Sequence, residues 1–245
     1  MKRWLFLICS FACMPKAYAM QHQTLQVDQV SYEVIQVEHL DQLKLFLKAP
    51  ETGRYYQKFS RILKDLPVCK QLAFAMNAGM YHTDYQPVGL YVENGQKINA
   101  LNQATGWGNF FMQPNGVVAW NDQKAVIKTT ADYKQSGFKA RFATQSGPML
   151  VYQGHINQQF LPDSTSLKIR NGVGIRNNQL YFVVSKQRVS FYQFARFFKQ
   201  QLNVENALYL DGSISSLYLP QIKRHDKTFK LGPVVAEVID QEGCR

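Results

Sequence analysis

The sequence from Ala207 to Pro220, ALYLDGSISSLYLP, places an acidic turn between two apolar runs. Each run has the length and composition of a short buried strand, and a carboxylate that follows such a strand must be satisfied by water, a ligand or the protein. Asp211 therefore marks a position where a sheet ends and a site can begin. The alternative is a simple capping turn made by Asp211, Gly212 and Ser213, and this stretch alone is compatible with both.

The N-terminal 19 residues have the order of a secretory signal. Positive charges at Lys2 and Arg3 precede an almost wholly apolar run, and a small-residue cleavage pattern ends at Ala19. The run is too short to span a bilayer, and no other segment approaches the ~20 apolar residues of a membrane helix. We expect cleavage after Ala19 and a mature chain of residues 20–245 in the periplasm or outside the cell. Lipid attachment at Cys13 is a weaker alternative.

Composition favours one exported domain with an anionic partner. Residues 20–245 suit a single core, and no linker or low-complexity tract divides them. Loss of the signal lowers the net charge from +11 to +8, and a basic exported protein favours partners such as phosphorylated glycans. The charges are scattered and no nucleic-acid-binding motif accompanies them, so we expect no nucleic acid partner. Cys69 and Cys244 form either a disulfide or two separate thiols, and the sequence leaves both open.

The hydrophobic pattern predicts a strand–helix–strand unit in the first third of the chain. Strands at Leu43–Leu47 and Leu72–Met76 flank an amphipathic helix from Gly53 to Leu66, which ends before a proline. The second strand leads directly into a polar loop that begins at Asn77.

The same unit is predicted again near the C-terminus. A strand at Leu180–Val184 precedes a helix that opens with a capping box formed by Ser190 and Gln193, and Ala207–Leu210 is the closing strand. Ligands bind beyond the carboxyl ends of parallel strands, so the two polar loops are predicted to bring Asn77 and Asp211 to one cleft.

Between the two units the turn residues are those of β-hairpins. They lie at positions 93–96, 114–116 and 177–178. Hairpins combined with two crossover helices predict an α+β fold, a single domain with a twisted, mostly antiparallel or mixed β-sheet.

Five sequence blocks, taken together and in order, resemble the phosphodiester glycosidase family. They are MNAGMY (76–81), QPVGLYVENG (86–95), ATQSGPMLVYQG (143–154), RNGVGI (170–175) and YLDGSISSLYL (209–219). The resemblance implies an exported glycosidase-type hydrolase that cleaves the glycosidic C–O bond of sugar 1-phosphodiesters and releases sugar and phosphomonoester. It does not specify the sugar or the group on the other side of the phosphate.

The chemistry that the resemblance implies needs a cation and a carboxylate. A departing phosphate already carries negative charge, so a positive clamp matters more than a strong general acid. Arg170 is the main candidate because a guanidinium can hold two phosphate oxygens, with Lys186 and Arg188 as alternatives. Asp211 is the candidate carboxylate that stabilises an oxocarbenium-like centre or activates water.

A second acidic group is less evident. Asp84 is preferred over Asp163 and Glu93, because Glu93 is expected in a solvent-facing hairpin turn. His82 can act as acid or base near neutral pH. If Asp211 is the sole carboxylate, the substrate's own acetamido group can attack the anomeric carbon, and the sequence leaves retaining, inverting and substrate-assisted routes open.

Polar residues in the predicted loops are candidates for substrate binding. Asn77 offers a donor and an acceptor to sugar hydroxyls, and Gly79 permits close backbone approach. Ser146 and Gly147 can offer a hydroxyl and a free N–H to phosphate. The remaining candidates are Gly212, Ser215 and Ser216.

Other classes of protein fit the sequence less well. A serine hydrolase with a serine from positions 213–216 and His82 as base lacks the Gly-x-Ser-x-Gly elbow. We expect no metal or cofactor, because the two mature cysteines are far apart and the histidines lack ligand spacing; an oxygen-ligated calcium at Asp211 is the alternative. A non-catalytic binding module for phosphorylated glycans is the competing function, and a structural envelope protein is a third. The oligomeric state stays open.

Overall fold

The computed structural model describes residues 20–212 and 214–244 of the chain. The predicted signal peptide, residues 1–19, lies outside the described residues, as do Ser213 and Arg245. The described residues form 17 strands and three α-helices. No helix in this part of the chain has the length and apolar character needed to cross a membrane.

The elements follow one another in a fixed order along the chain. The strands are β1 (Met20–Val27), β2 (Val30–Val37), β3 (Leu43–Phe46), β4 (Lys70–Asn77), β5 (Tyr91–Glu93), β6 (Gln96–Asn99), β7 (Gly116–Trp120), β8 (Ala125–Thr129), β9 (Phe142–Ser146), β10 (Met149–Tyr152), β11 (His155–Ile156), β12 (Asn171–Arg176), β13 (Gln179–Ser185), β14 (Asn206–Tyr209), β15 (Leu217–Leu219), β16 (Arg224–His225) and β17 (Val234–Asp240). The helices are α1 (Phe59–Asp65), α2 (Thr130–Gln135) and α3 (Phe191–Gln200).

The strands form three sheets rather than the one sheet expected. The first sheet has the order β1-β2-β13-β12-β14-β10-β11, the second β16-β15-β4-β17-β3, and the third β6-β5-β9-β7-β8. Neighbouring strands in all three sheets run antiparallel. The α+β class and the mostly antiparallel pairing are confirmed.

The two predicted crossover helices are present, each in a split strand–helix–strand unit. Helix α1 connects β3 to β4, and β17 lies between them, antiparallel to both. Helix α3 connects β13 to β14, with β12 inserted in the same way. The strands of each unit are therefore parallel without being neighbours, which is how crossovers occur in sheets built from antiparallel pairs.

The helix predicted from Gly53 to Leu66 is shorter in the structure, because its first half is not helical. Lys48 and Tyr55 form an isolated antiparallel bridge, and Gly53 has a φ of 66°. A positive φ is incompatible with a right-handed helix, so α1 begins only at Phe59. The predicted end before Pro67 is correct.

The turn predicted at positions 114–116 does not join a hairpin. Residues Asn109–Phe111, which precede this turn, form a short 3-10 helix where a hairpin needs a strand, and β7 pairs with β8 and β9 instead. The hairpins at 93–96 and 177–178 are confirmed by the β5–β6 and β12–β13 pairs. Helix α2 was not predicted; it is capped by Thr129, whose side chain accepts from Asp132 N.

The three sheets share one apolar core, and the helices cover its outer faces. The main cluster includes Phe74, Trp120, Phe182 and Leu208, which come from all three sheets. A second cluster lies beneath α3 and a third beneath α1. The capping box at Ser190 has both of its hydrogen bonds and starts α3 as predicted.

A disulfide between Cys69 and Cys244 answers the question the sequence left open. The two cysteines are 175 residues apart in sequence, and their Cα atoms lie 5.4 Å apart. Lys70 and Asp240, the terminal pair of β4 and β17, lie next to the bridge. The disulfide therefore fastens the end of the chain to the start of a central strand.

Candidate active site

The Asp211 turn connects two different sheets. Strand β14 belongs to the first sheet and β15 to the second, so the segment from Leu210 to Ser216 crosses the junction between them. Asn77, the last residue of β4, lies in the second sheet, and Asn171, the first residue of β12, lies in the first. Both strands thus deliver a buried carboxamide to the junction where the Asp211 turn passes.

The side-chain amide of Asn77 clamps the Asp211 turn at two points. Its Nδ2 donates to the carbonyl oxygen of Asp211 at 2.9 Å, and its Oδ1 accepts from Ser216 N at 2.9 Å. The side chain is 1% exposed. The predicted convergence of Asn77 and Asp211 is therefore present, but the amide holds the backbone of the turn rather than pointing to an open sugar site.

Asn171, which the sequence did not nominate, completes the clamp. Its Nδ2 donates to the carbonyl oxygen of Asn77 at 2.9 Å, and its Oδ1 accepts from Asp211 N at 3.0 Å. Both sides of the Asp211 residue are thus fixed, one by each asparagine. Such a network rigidifies a segment because every buried polar group in it has a partner.

Arg170 lies inside the protein rather than at an open anion site. Its side chain is 1% exposed, its Nε donates to Val189 O at 2.9 Å, and its Nη2 donates to Ser166 O at 3.0 Å. The guanidinium stacks on Phe191, 3.7 Å from the ring centre. Nη1 lies 3.4 Å from the hydroxyl of Tyr209. In this structure the Arg170 guanidinium does not offer two N–H groups to a phosphate. It supports the Asp211 turn from inside the protein, through the Tyr209 hydroxyl.

Tyr209 links Arg170 to the Asp211 turn. Its hydroxyl oxygen also accepts from Gly212 N at 2.6 Å. Burial raises the pKa of Tyr209 to about 12; the Arg170 charge opposes this rise and the Asp211 charge adds to it. Burial and the Asp211 charge also raise the pKa of Tyr81. The Asp211 carboxylate therefore lies within electrostatic range of two phenols, and both stay protonated at neutral pH.

The serine candidates make contacts within the turn and its support. The Ser146 hydroxyl is fully buried and donates to Leu210 O at 2.5 Å. The Ser216 hydroxyl donates to Ile214 O at 2.9 Å. The Ser215 hydroxyl lies 3.2 Å from Gly212 O, and Ser215 is only half-buried. Of the three, the Ser215 hydroxyl is the one nearest to solvent.

The glycine candidates are positions of close packing. A Cβ on Gly79 would come within 2.5 Å of Gln145 O, and one on Gly147 within 2.6 Å of Phe110 O. At Gly212 it would meet the Tyr209 hydroxyl at 2.1 Å. The close backbone approaches that these glycines permit are approaches to the protein itself.

His82 and Asp84 lie on an exposed turn. Tyr85 N donates to His82 O at 2.8 Å, and the Asp84 carboxylate accepts from Gln86 N at 3.0 Å. Asp84 thus closes a local turn, and neither residue lines the pocket described next. The expectation for Glu93 was wrong: burial raises its pKa and Tyr91 donates to it at 2.7 Å, so it does not face solvent freely.

A pocket of about 870 Å³ opens beside the Asp211 turn, and we call it the basic pocket. Its wall includes Gly212, Ser215 and Ser216 from the turn, whereas Asp211 itself is adjacent to the wall in sequence and not among the lining residues. Five cations line it: Lys168, Lys186, Arg188, Lys223 and Arg224. Two carboxylates, Glu33 and Asp226, do so as well. The surplus of positive charge suits an anionic ligand, and Lys186 and Arg188, the alternatives to Arg170, are among the lining cations.

The acidic, histidine and cysteine side chains of the described residues are dispersed. They contain no group of three or more His, Cys, Asp or Glu side chains that could hold a metal ion. Calcium at Asp211 would therefore need ligands other than a carboxylate cluster, and that alternative stays a prediction.

The sequence contained signals for two of the residues it did not nominate. Asn171 stands inside the RNGVGI block, directly after Arg170. Glu33 interrupts the otherwise apolar and neutral run of β2, VSYEVIQV, and a carboxylate inside a buried strand calls for a partner. The residues that pair with Asn171 and Glu33 are distant in sequence, so local patterns did not predict them.

Fold and site together define a class of protein: an α+β antiparallel scaffold that holds one carboxylate-bearing turn rigidly beside a cationic pocket. Comparison with known proteins specifies the class. A model of the phosphodiester glycosidase family matches residues 70–234. The chain belongs to the phosphodiester glycosidase family and is a glycosidase-type hydrolase.

The chain is also similar to one relative in sequence and to one solved structure in fold. The chain is 44% identical over 182 residues to the uncharacterized protein YigE of Escherichia coli (strain K12), covering 69% of this chain and 71% of the relative. Its fold is similar to the catalytic domain of zebrafish N-acetylglucosamine-1-phosphodiester alpha-N-acetylglucosaminidase, auto-inhibited by its pro-peptide. That match has a TM-score of 0.63 and 14% identity, and it covers 89% of this chain and 81% of the zebrafish chain.

Proposed function

We propose that this protein is an exported hydrolase that cleaves the glycosidic C–O bond of sugar 1-phosphodiesters in phosphorylated envelope glycans. The observation that carries the proposal is the basic pocket beside the fixed Asp211 turn. The zebrafish enzyme is named for a sugar 1-phosphodiester substrate, and we extend the chemical class to this chain. The products are a free sugar and a phosphomonoester.

In the proposed chemistry, cations stabilise the leaving phosphate and a carboxylate stabilises the anomeric carbon. When the C–O bond breaks, the phosphate leaves with the bonding electron pair and is stabilised by cations of the basic pocket. The Asp211 carboxylate stabilises the positive charge that develops at the anomeric carbon, or activates the attacking water. A fixed backbone costs no reorganisation during the reaction, which is the contribution of Asn77 and Asn171.

Export is the second part of the proposal. The N-terminal residues have the order of a secretory signal, and the disulfide suits an oxidising compartment. We expect mass spectrometry of the protein purified from its native envelope or culture fluid to give a chain that begins at Met20. A cytosolic chain that retains Met1–Ala19 would contradict export without affecting the chemistry.

The test of activity is incubation of residues 20–245 with sugar 1-phosphodiesters that differ in the sugar. Free sugar and phosphomonoester should appear together in equal amounts. Asp211→Asn should lower turnover by about 10²-fold or more while ligand binding persists, since the carboxylate acts on the reacting atoms. Binding without turnover by the unaltered protein, across the whole panel, would favour a non-catalytic binding module.

A further inference from the structure

Glu33 is a buried carboxylate in the wall of the basic pocket. It lies on β2, is 1% exposed, and lines the pocket together with Lys186. Strands β1 and β2 precede residue 70, where the family model begins to match. This part of the wall is therefore an addition to the region by which the family is recognised.

The two oxygens of Glu33 have different surroundings. Oε2 lies 2.7 Å from His22 Nε2 and accepts from the Thr24 hydroxyl at 2.7 Å. Oε1 faces the ammonium of Lys186 at 3.6 Å. Burial raises the pKa of Glu33, but the hydrogen bonds and the charges of His22 and Lys186 outweigh it, so the net pKa is lowered. The carboxylate is ionised at neutral pH.

Lys186 is held at both ends and still reaches solvent. It follows the last residue of β13, and its backbone N–H donates to Ser31 O at 2.8 Å. Its side chain is 48% exposed. At 3.6 Å, Glu33 attracts the ammonium as an ion pair, and at least two of its three N–H groups stay available to a ligand in the pocket.

The other lining cations differ from Lys186 in this respect. Arg224 is already bound by Asp226, with Nη2 2.7 Å from Oδ2. Lys168, Arg188 and Lys223 form no ion pair with the described carboxylates. Lys186 alone among the five is oriented by a buried carboxylate while facing the pocket.

We propose that Glu33 is a positioning residue that holds Lys186 as a phosphate-binding cation of the basic pocket. His22 and Thr24 fix Glu33, Glu33 fixes Lys186, and Lys186 receives the phosphate. The β1–β2 hairpin thus contributes to ligand recognition. This inference rests on the proposed function for its ligand, a phosphodiester, although phosphate binding can be measured without turnover.

Electrostatics alone and positioning predict opposite signs for one substitution. Glu33→Gln removes a negative charge from the wall, so a pocket governed only by its net charge should bind phosphate more tightly. If Glu33 holds Lys186 in place, the same substitution releases a flexible side chain and weakens binding. The sign of the change therefore separates the two explanations.

The experiment measures binding of inorganic phosphate and of dimethyl phosphate, a monoanionic diester, by calorimetry or NMR titration of residues 20–245. Lys186→Gln should weaken binding about tenfold, the size of one lost charged hydrogen bond. Glu33→Gln should weaken it about threefold or more and have no further effect in the Lys186→Gln background, because the two act as one unit. Lys199→Gln, at a different pocket, is the matched control and should change nothing.

A second variant distinguishes a loss of positioning from a loss of folding. Thr24→Val removes one hydrogen bond to Glu33 and keeps all charges, so a smaller loss of binding with an unchanged unfolding temperature supports positioning. Tighter binding in Glu33→Gln, or unchanged binding in Lys186→Gln, overturns the inference. If phosphate binding depends on Lys186 but no sugar phosphodiester is hydrolysed, the proposed function fails while the inference stands.

Discussion

Asn77 and Asn171 each use one half of the carboxamide to hold the backbone of Asp211; the other half of Asn77 accepts from Ser216 N, and that of Asn171 donates to Asn77 O. Four hydrogen bonds of 2.9–3.0 Å join the two side chains, Asp211 and Ser216. A buried donor or acceptor that loses its partner costs free energy. Moving the turn away from the two asparagines would therefore be unfavourable for both. Because Asn77 is also buried, its amide is not exposed to a sugar.

Asn77→Ala should lower both stability and activity. The substitution removes the hydrogen bonds of Asn77 to Asp211 O and Ser216 N, and we expect a loss of about 1–3 kcal/mol in the free energy of unfolding. Turnover should fall as well, because the Asp211 turn loses its anchor. Urea denaturation and the sugar-release assay check the two effects.

Asn157→Ala is the matched control for this prediction. Asn157 is also buried and makes hydrogen bonds to backbone groups, donating to Met149 O at 3.0 Å and accepting from Gln159 N at 3.0 Å, but it does not contact the turn. Its loss should cost similar stability with turnover intact. Equal losses of turnover in both variants would mean that activity follows stability alone.

Arg170→Lys separates a structural role from a phosphate clamp. The guanidinium donates to Val189 O and Ser166 O and stacks on Phe191, and an ammonium cannot reproduce this planar arrangement. We expect the free energy of unfolding to fall by about 2 kcal/mol or more. Thermal unfolding measures this, with Arg54→Lys, at an exposed position, as the control that should leave stability unchanged. If Arg170→Lys keeps its stability but no longer binds phosphate, the hypothesis that Arg170 binds the phosphate directly would be supported instead.

At the scale of the element, β17 contains an acid where a central strand should be apolar. Glu237 is fully buried between β3 and β4, and both carboxylate oxygens lack a hydrogen-bond partner in the described residues. Burial, with smaller contributions from the charges of Glu38 and Asp41, raises the pKa of Glu237 to about 9. The folded protein therefore keeps this group protonated where the unfolded chain ionises it.

The sign of the resulting pH dependence follows from proton binding. Above the unfolded pKa of 4.5 the unfolded state binds fewer protons at Glu237 than the folded state, so this group's contribution to stability falls as pH rises towards about 9. The slope is at most about 1.4 kcal/mol per pH unit. Glu237→Gln should flatten the stability profile between pH 5 and 9, measured by urea denaturation across roughly that range. Glu51→Gln, on the surface, should leave the profile unchanged; an unchanged profile in Glu237→Gln would contradict the assignment.

At the scale of the whole molecule, the disulfide connects the C-terminal tail to the start of β4. It closes a loop across 175 residues of sequence, which includes the residues of the Asp211 turn. A cross-link over a long loop removes conformational freedom from the unfolded chain. The bridge therefore stabilises the fold as a unit rather than one local element.

Replacing both cysteines, Cys69→Ser with Cys244→Ser, should lower the free energy of unfolding by about 2–4 kcal/mol. The bridge is distant in the chain from Asp211, so turnover of the folded variant should persist. Denaturation of the oxidised native protein, the reduced native protein and the double variant gives the comparison. If reduction and replacement leave stability unchanged, the bridge does not constrain the unfolded chain as proposed.

Those features of this protein that depend on local chemistry can be predicted from the amino-acid sequence. The order of strands and helices around Asp211, the Ser190 capping box and the Asn-Gly and Asn-Asn hairpins are encoded in residues a few positions apart. The five motif blocks placed the chain in its family. At Gly53 and Asn109–Phe111 the local pattern was misleading: Gly53 has a φ of 66°, and Asn109–Phe111 form a 3-10 helix.

The contacts between side chains that are distant in sequence depend on how the three sheets pack together. Asn77 contacts Asp211 across 134 residues of sequence, and Arg170 contacts Tyr209 across 39. An asparagine or arginine side chain can bind a ligand or a distant peptide group. The residue type alone does not distinguish these two roles. Packing of three sheets buried Asn77 and Arg170 as supports and brought Glu33 and Lys186 to the pocket wall. Long-range pairing, which no local pattern encodes, therefore assigned the roles.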